Sequence, residues 1–355
     1  MSNFSRLSAS VMTVPERVVH ARSISTELGD IPVITDTSRG GPLRNSLRAW
    51  KAYDLSASHH LLLQDDIALA PDLIARMEAA CAAHPDAILS GYASWHTSSG
   101  AAMRLAAVSG ASWVETVGDG YFPTLAMVMP TAYIGEYVEF AERYRDVIKH
   151  DDHVVFWFLR QHGIRALISA PAMVEHRGIA TAAGNHPDFP QHAACFVPES
   201  VQAATALLDD FAYCPYFYEG NADLIVRGQQ GRHRMWERVP WVTRADELGI
   251  DPNQLRNIFD ESADLRDHCE LLEPAGIPRE YLFSLWTSAF LLGTFSLRGR
   301  EMNLPAAERS VIEAALETLA ISGQGYLLVT HQDIVANRKG LATVAGSGFA
   351  LARSQ

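Results

Sequence analysis

The segment His60-Leu-Leu-Leu63 runs directly into Gln64-Asp65-Asp66, and it constrains the fold more than any other stretch of this 355-residue chain. A continuous apolar run of that length marks a strand covered on both faces, as in the middle of a parallel sheet. The flanking segments keep the matching rhythm. Residues 9–14 are β-prone and closed by Pro15, residues 16–28 have helical composition and stop at Gly29, and residues 31–35 form a second strand. Leu43, Leu47 and Trp50 then fall at helical spacing, a helix over 71–83 starts with proline in its first turn, and residues 87–89 form a short strand. Strand and helix in alternation predict an α/β domain built on parallel strands.

Beyond residue 91 small residues and the aromatics Trp95 and Trp113 interrupt the alternation. It resumes with a strand-like pattern to residue 129, a helix over 131–144, and His150-Asp151-Asp152-His153 opening a helix that Gly163 closes. A strand over 166–169 leads to Val174-Glu-His176. Residues 177–190, rich in Gly, Ala, His and Pro, read either as an interdomain linker or as a loop that closes over bound substrate. Past residue 200 helices are expected at 201–211, 252–260, 262–272, 279–292 and 306–322. The chain therefore divides into an α/β domain, 1–198, and a smaller, mainly helical domain, 199–355, that covers the ligand side, supports a homodimer, or both.

The net charge of −12, from 41 acidic and 29 basic residues, together with the lack of a basic block, argues against a nucleic-acid partner. An anionic ligand on so acidic a protein needs a local countercharge, supplied by a metal ion or by backbone N–H groups. Cys81, Cys195, Cys214 and Cys269 are scattered and contain no Cys-x-x-Cys pair, which fits reduced thiols. No stretch of eighteen apolar residues occurs and the first ten residues lack a leader-like pattern, so a cytoplasmic protein without a transmembrane segment is expected.

The chemistry concentrates on Asp65 and Asp66. At the C-terminal end of a covered strand they sit where open α/β sheets bind ligands. Carboxylate oxygens suit Mg2+ or Mn2+, and such an ion can bridge a diphosphate and act as a Lewis acid toward a departing nucleotide.

Over residues 8–195 the order of motifs resembles the GT-A type glycosyltransferases, the nucleotide-diphospho-sugar transferase superfamily. The resemblance is carried by Val11-Met-Thr-Val-Pro-Glu-Arg17, Gly41-Pro-Leu-Arg-Asn45, Leu61-Leu-Leu-Gln-Asp-Asp-Ile67, His150-Asp-Asp-His-Val154 and Pro171-Ala-Met-Val-Glu-His-Arg-Gly178. It implies a Rossmann-like domain with a mixed, mostly parallel sheet and hexosyltransferase-like activity with a nucleotide-sugar donor, a UDP-sugar by family prevalence. The acceptor would be a small molecule, a glycan or a natural product. By the same resemblance Asp66, Asp65 and His176 hold Mn2+ or Mg2+, while Thr13, Pro15 and Arg17 line the base. Arg44 and Asn45 would then contact ribose or phosphate. Asp152, or its neighbour Asp151, takes the acceptor's proton; in a retaining reaction these acids position substrate instead. The family's Asp-x-Asp is Gln64-Asp65-Asp66 here, which leaves open which acid meets the metal. Two other classes stay in view: a metal-dependent phosphohydrolase using His59, His60, Asp65, Asp66, His150 and Asp151, and a non-catalytic binding protein working through its C-terminal part.

Overall fold

The computed structural model describes residues 6–118, 120–177, 191–202, 204–228, 236–297, 302–323 and 335–354. The expected loop over 177–190 falls almost wholly outside them. The first half alternates as anticipated, with one short strand, β4, added: β1 (Leu7–Thr13), a 3-10 turn (Pro15–Arg17), α1 (Val18–Glu27), β2 (Val33–Thr35), α2 (Pro42–Trp50), β3 (His59–Gln64), β4 (Ile67–Leu69), α3 (Leu73–Ala83) and β5 (Ile88–Ser90). There follow α4 (Ser98–Ser109), β6 (Trp113–Glu115), β7 (Ala126–Pro130), α5 (Thr131–Glu142), α6 (Asp151–His162), β8 (Ala166–Ser169), β9 (Val174–His176) and β10 (Leu207–Leu208).

Eight strands make one mixed, mostly parallel sheet in the order β10-β6-β8-β5-β7-β3-β1-β2. β3 sits inside it, parallel to β1 and antiparallel to β7. Its period of two is visible in the packing. Leu61 and Leu63 enter the core on one face, with Ile24, Leu73 and Met77, while Leu62 enters the core on the other, with Trp50, Tyr137 and Phe158. Helices on both faces of the sheet therefore account for the unbroken apolar run. The local end signals also hold: Pro42 occupies the first turn of α2 after Gly41 at φ 91°, and α6 stops at Gly163 in the left-handed region.

Helix α4 has no counterpart in the sequence pattern. It is buried along its whole length and built from Ser, Gly and Ala with few larger residues, so it carries no polar stripe from which a period could be read. Its first turn lies so close to the preceding loop that a Cβ on Gly100 would stand 2.1 Å from the carbonyl oxygen of Ser94.

The helix expected over 201–211 is a correction. Leu207 and Leu208 instead add β10 to the sheet edge beside Trp113 and Val114, because pairing with an open edge overrides a modest helical preference. A second correction concerns the residues immediately beyond. β11 (Tyr213–Tyr218), β12 (Asn221–Arg227) and β13 (Trp236–Pro240) form an antiparallel three-stranded sheet within the part expected to be helical. Glu219 and Gly220, both at positive φ, make the two-residue turn between β11 and β12, as a hairpin with matching twist requires. The expected helices come after this sheet as α8 (Pro252–Glu261), α9 (Ala263–Leu272), α10 (Arg279–Ser296) and the helix Arg309–Ser322, and two that were not anticipated flank them, α7 (Ala245–Leu248) and the helix Arg338–Ser354. Residues on both sides of position 198 share one hydrophobic cluster, in which α4 packs against β11, α10 and the helix Arg309–Ser322.

Candidate functional site

A cleft of about 800 Å3 opens at one edge of the large sheet. Thr13 ends β1, Asp65 and Asp66 come directly after β3, Ser94 and His96 come after β5, and Thr124 and Leu125 precede the antiparallel β7, so all of them meet at this edge. The chain passes from β1 to β2 on one side and to β3 on the other, which makes this edge a topological switch point, where diverging loops leave a crevice.

Two short strands set the acid pair against a histidine. β4 pairs antiparallel with β9, placing Ile67 opposite His176, and the Arg177 N–H donates to the Asp66 carbonyl at 2.8 Å. His176 Nε2 lies 3.5 Å from Asp66 Oδ2. Arg17 Nη1 donates to Asp65 Oδ1 at 2.9 Å and to Asp66 Oδ2 at 2.8 Å, and the Thr13 hydroxyl donates to Asp65 Oδ2 at 2.5 Å. Asp66 Oδ1 is buried and accepts no hydrogen bond.

These contacts set the electrostatics. Burial raises the Asp65 carboxyl above its usual range, against the pull of Thr13 and Arg17. Burial pushes Asp66 the same way, yet His176 and Arg17 together outweigh it and hold Asp66 below the carboxylate norm. For Arg17, burial works against the charge, but the two aspartates lift its pKa above the usual value and fix it as a cation.

The second acid pair lies at the start of α6. The Thr124 hydroxyl donates to Asp151 Oδ1 at 3.3 Å and itself receives Gln64 Nε2 at 3.3 Å, so a polar chain leads from the residue beside Asp65 to Asp151. Burial and the neighbouring Asp152 push the Asp151 carboxyl up to about 7. Asp152 is half-buried and turns Oδ1 back to the His153 N–H at 2.7 Å, a helix-start contact.

Of the residues singled out in the sequence, Thr13, Arg17, Asn45, Asp65, Asp66, Asp151, Asp152 and His176 line this cleft. Asn45 Nδ2 donates to the Thr13 carbonyl at 2.9 Å and keeps Oδ1 buried without a partner. Pro15 and Arg44 are not in the lining, and Arg44 pairs at the surface with Asp146. Tyr121 lines the cleft, whereas Trp95 and Trp113 are core residues with no exposed surface. Buried His59 and His60 belong to the strand rather than to a site. His59 meets the Pro85 carbonyl, and His60 meets Ser8 and Ser10, its pKa lowered to about 4 by burial.

Sequence reading missed Asp36, Tyr92, Ser94, His96 and Gln191, which also line the cleft. Asp36 closes the loop after β2 by accepting from the Ser38 and Gly40 N–H groups. The Ser94 hydroxyl bridges His96 Nδ1 at 2.9 Å and Gln191 Oε1 at 3.0 Å, and burial lowers His96 to about 4, so that side is polar but neutral. The one signal for the first four was position, just after β2 or β5, and Gln191, about a hundred residues beyond β5, had none.

Among the described residues no group of three or more His, Cys, Asp or Glu side chains forms a ready-made metal cage. Among them, too, no helix is long and apolar enough to cross a membrane. No protein-family model matches the chain, and no curated protein matches it in sequence.

Proposed function

We propose that the chain is a GT-A type glycosyltransferase that binds a nucleoside-diphosphate sugar, by family prevalence a UDP-sugar, in the cleft at the sheet's switch point. The sugar passes to the hydroxyl or other nucleophile of a small-molecule, glycan or natural-product acceptor. One observation carries this reading. Asp66, beside His176 at the strand-end crevice, keeps Oδ1 buried and unpartnered, although a buried carboxylate oxygen normally finds a donor.

The residues fit a divalent ion. Asp66 and His176 would hold it, and Mg2+ or Mn2+ in such sites is completed by substrate phosphates rather than by an all-protein cage. When bound, the ion supplies positive charge for the leaving nucleoside diphosphate. The chain's own groups do the rest. Thr13 and Arg17 anchor Asp65, and Asn45 ties the end of β1 to α2 and offers an acceptor oxygen to the nucleotide. Asp151, with its pKa near neutrality, takes the proton of the acceptor hydroxyl, as a base must be unprotonated at working pH yet able to gain a proton. Asp152, next to it on the cleft wall, orients the acceptor. The neutral Ser94–His96–Gln191 network suits sugar hydroxyls.

A thermal-shift screen of nucleoside diphosphates with and without Mn2+ tests the assignment. Uridine diphosphate is expected to raise the melting temperature by several degrees only when Mn2+ is present, since a ligand of the folded state stabilises it by mass action. If no nucleoside diphosphate stabilises the protein at millimolar concentration with Mn2+, the assignment falls.

A further inference from the structure

We propose that Arg17 is a resident countercharge that competes with a divalent ion for the acid pair, so that the ion alone binds weakly and binds tightly only together with a diphosphate. The proposal rests on the reading of the cleft as a nucleoside-diphosphate site and adds an order of assembly to it.

The hydrogen bonds carry the inference. Asp65 has both oxygens engaged, Oδ1 by Arg17 and Oδ2 by Thr13, and Asp66 has Oδ2 engaged by Arg17. The oxygen left for an incoming cation is Asp66 Oδ1. A dication there would share one carboxylate with the guanidinium. The side chains of Arg17, Asp65 and Asp66 are only 11%, 7% and 8% exposed, so water and salt screen this repulsion poorly. Arg17 cannot relieve it by losing its proton, because a guanidinium stays protonated inside proteins.

A diphosphate resolves the conflict. Its negative charge offers the guanidinium a second partner inside the cleft that Arg17 already lines, and a guanidinium matches phosphate oxygens as well as carboxylate oxygens. Metal and diphosphate then raise each other's affinity by one common factor, as linkage requires. In the resting protein the same guanidinium keeps two adjacent buried carboxylates from repelling each other.

The test counts bound Mn2+ from the electron paramagnetic resonance signal of the free ion, for wild type, Arg17→Met and Arg17→Lys. Uridine diphosphate serves as the diphosphate, with the Mn2+ it binds in solution subtracted. Arg17→Met is expected to bind Mn2+ alone at least tenfold more tightly than wild type, while Arg17→Lys, which keeps the charge, stays within about threefold of wild type. Uridine diphosphate should raise the wild-type affinity at least tenfold and that of Arg17→Met much less. Equal Mn2+ affinity in wild type and Arg17→Met overturns the proposal and leaves the glycosyltransferase reading standing. Should Arg17→Met fail to fold, wild type decides: an affinity for Mn2+ that uridine diphosphate does not change overturns the proposal. Absence of Mn2+ binding by every form, nucleotide present, removes the proposal and the reading beneath it together.

Discussion

Asp65–Asp66 and Asp151–Asp152 are the same dipeptide on the walls of one cleft, the first at the end of a strand and the second at the start of a helix. At the strand end a buried guanidinium joins the two carboxylates and a histidine faces Asp66, so Asp66 stays ionised. At the helix start Asp151 faces Asp152 and the hydroxyls of Thr124 and Ser46, and burial lifts it to about 7. Identical residues thus become a carboxylate held below the usual range and a carboxyl raised to about 7. Acidity here is a property of neighbours, and under the proposed function the first setting suits holding a cation and the second accepting a proton.

Breaking the first member of the comparison has the largest expected effect. Asp66→Asn should lower sugar transfer by about a thousandfold, as losing a main source of charge stabilisation does. It should also cost about 2 kcal/mol of stability, because Arg17 loses one charge-assisted hydrogen bond while Asp65 still balances its charge. Transfer assays and urea melts read the two numbers, and an unchanged rate would detach Asp66 from the chemistry.

Asp151→Asn sharpens the second member. With a folded pKa of about 7 against the ordinary 3.8, the folded state binds more protons than the unfolded one between those values. Stability attributable to this group therefore falls as pH rises from about 4 to about 7 and is level above that. The asparagine variant should match wild type near pH 4 and gain on it up to about pH 7, by at most about 4 kcal/mol at ~1.4 kcal/mol per tenfold in proton affinity. Transfer should drop about a hundredfold, and the wild-type rate should climb through the same pH range. Melts at pH 4, 6 and 8 check the sign; a constant offset between the two proteins would mean that Asp151 is ionised throughout.

The smallest effect is expected outside both pairs. Arg44 and Asp146 are 44% and 70% exposed, and a pair so open to water contributes under about 1 kcal/mol. Arg44→Ala should leave melting and transfer nearly unchanged. A tenfold rise in the donor's KM would instead bring Arg44 back to the nucleotide, the role its place before Asn45 suggested.

Much of the frame was legible because it is written in short-range periodicity. The apolar run into Gln64 marked the inner strand, Leu43, Leu47 and Trp50 marked α2, and Gly163 marked the end of α6. The rule that ligands bind at strand ends then put Asp65 and Asp66 at the cleft. Other parts left no such trace. Helix α4 is buried all round and shows no stripe, and β10 exists because the sheet had an edge to extend beside Trp113. Glu219-Gly220 between two apolar runs was a hairpin signal within reach, hidden by the helical character of the segments from residue 245 onward.

The amino-acid order by itself determined the α/β alternation, the covered central strand and the acidic motif at its end, since each depends on residues a few positions apart. Tertiary structure alone decided that Arg17 bridges Asp65 and Asp66, that pairing of β4 with β9 brings His176 beside Asp66, and that Asp151 titrates near neutrality. Those facts depend on burial and on charges brought together from distant segments, and both exist only once the chain has closed around the cleft.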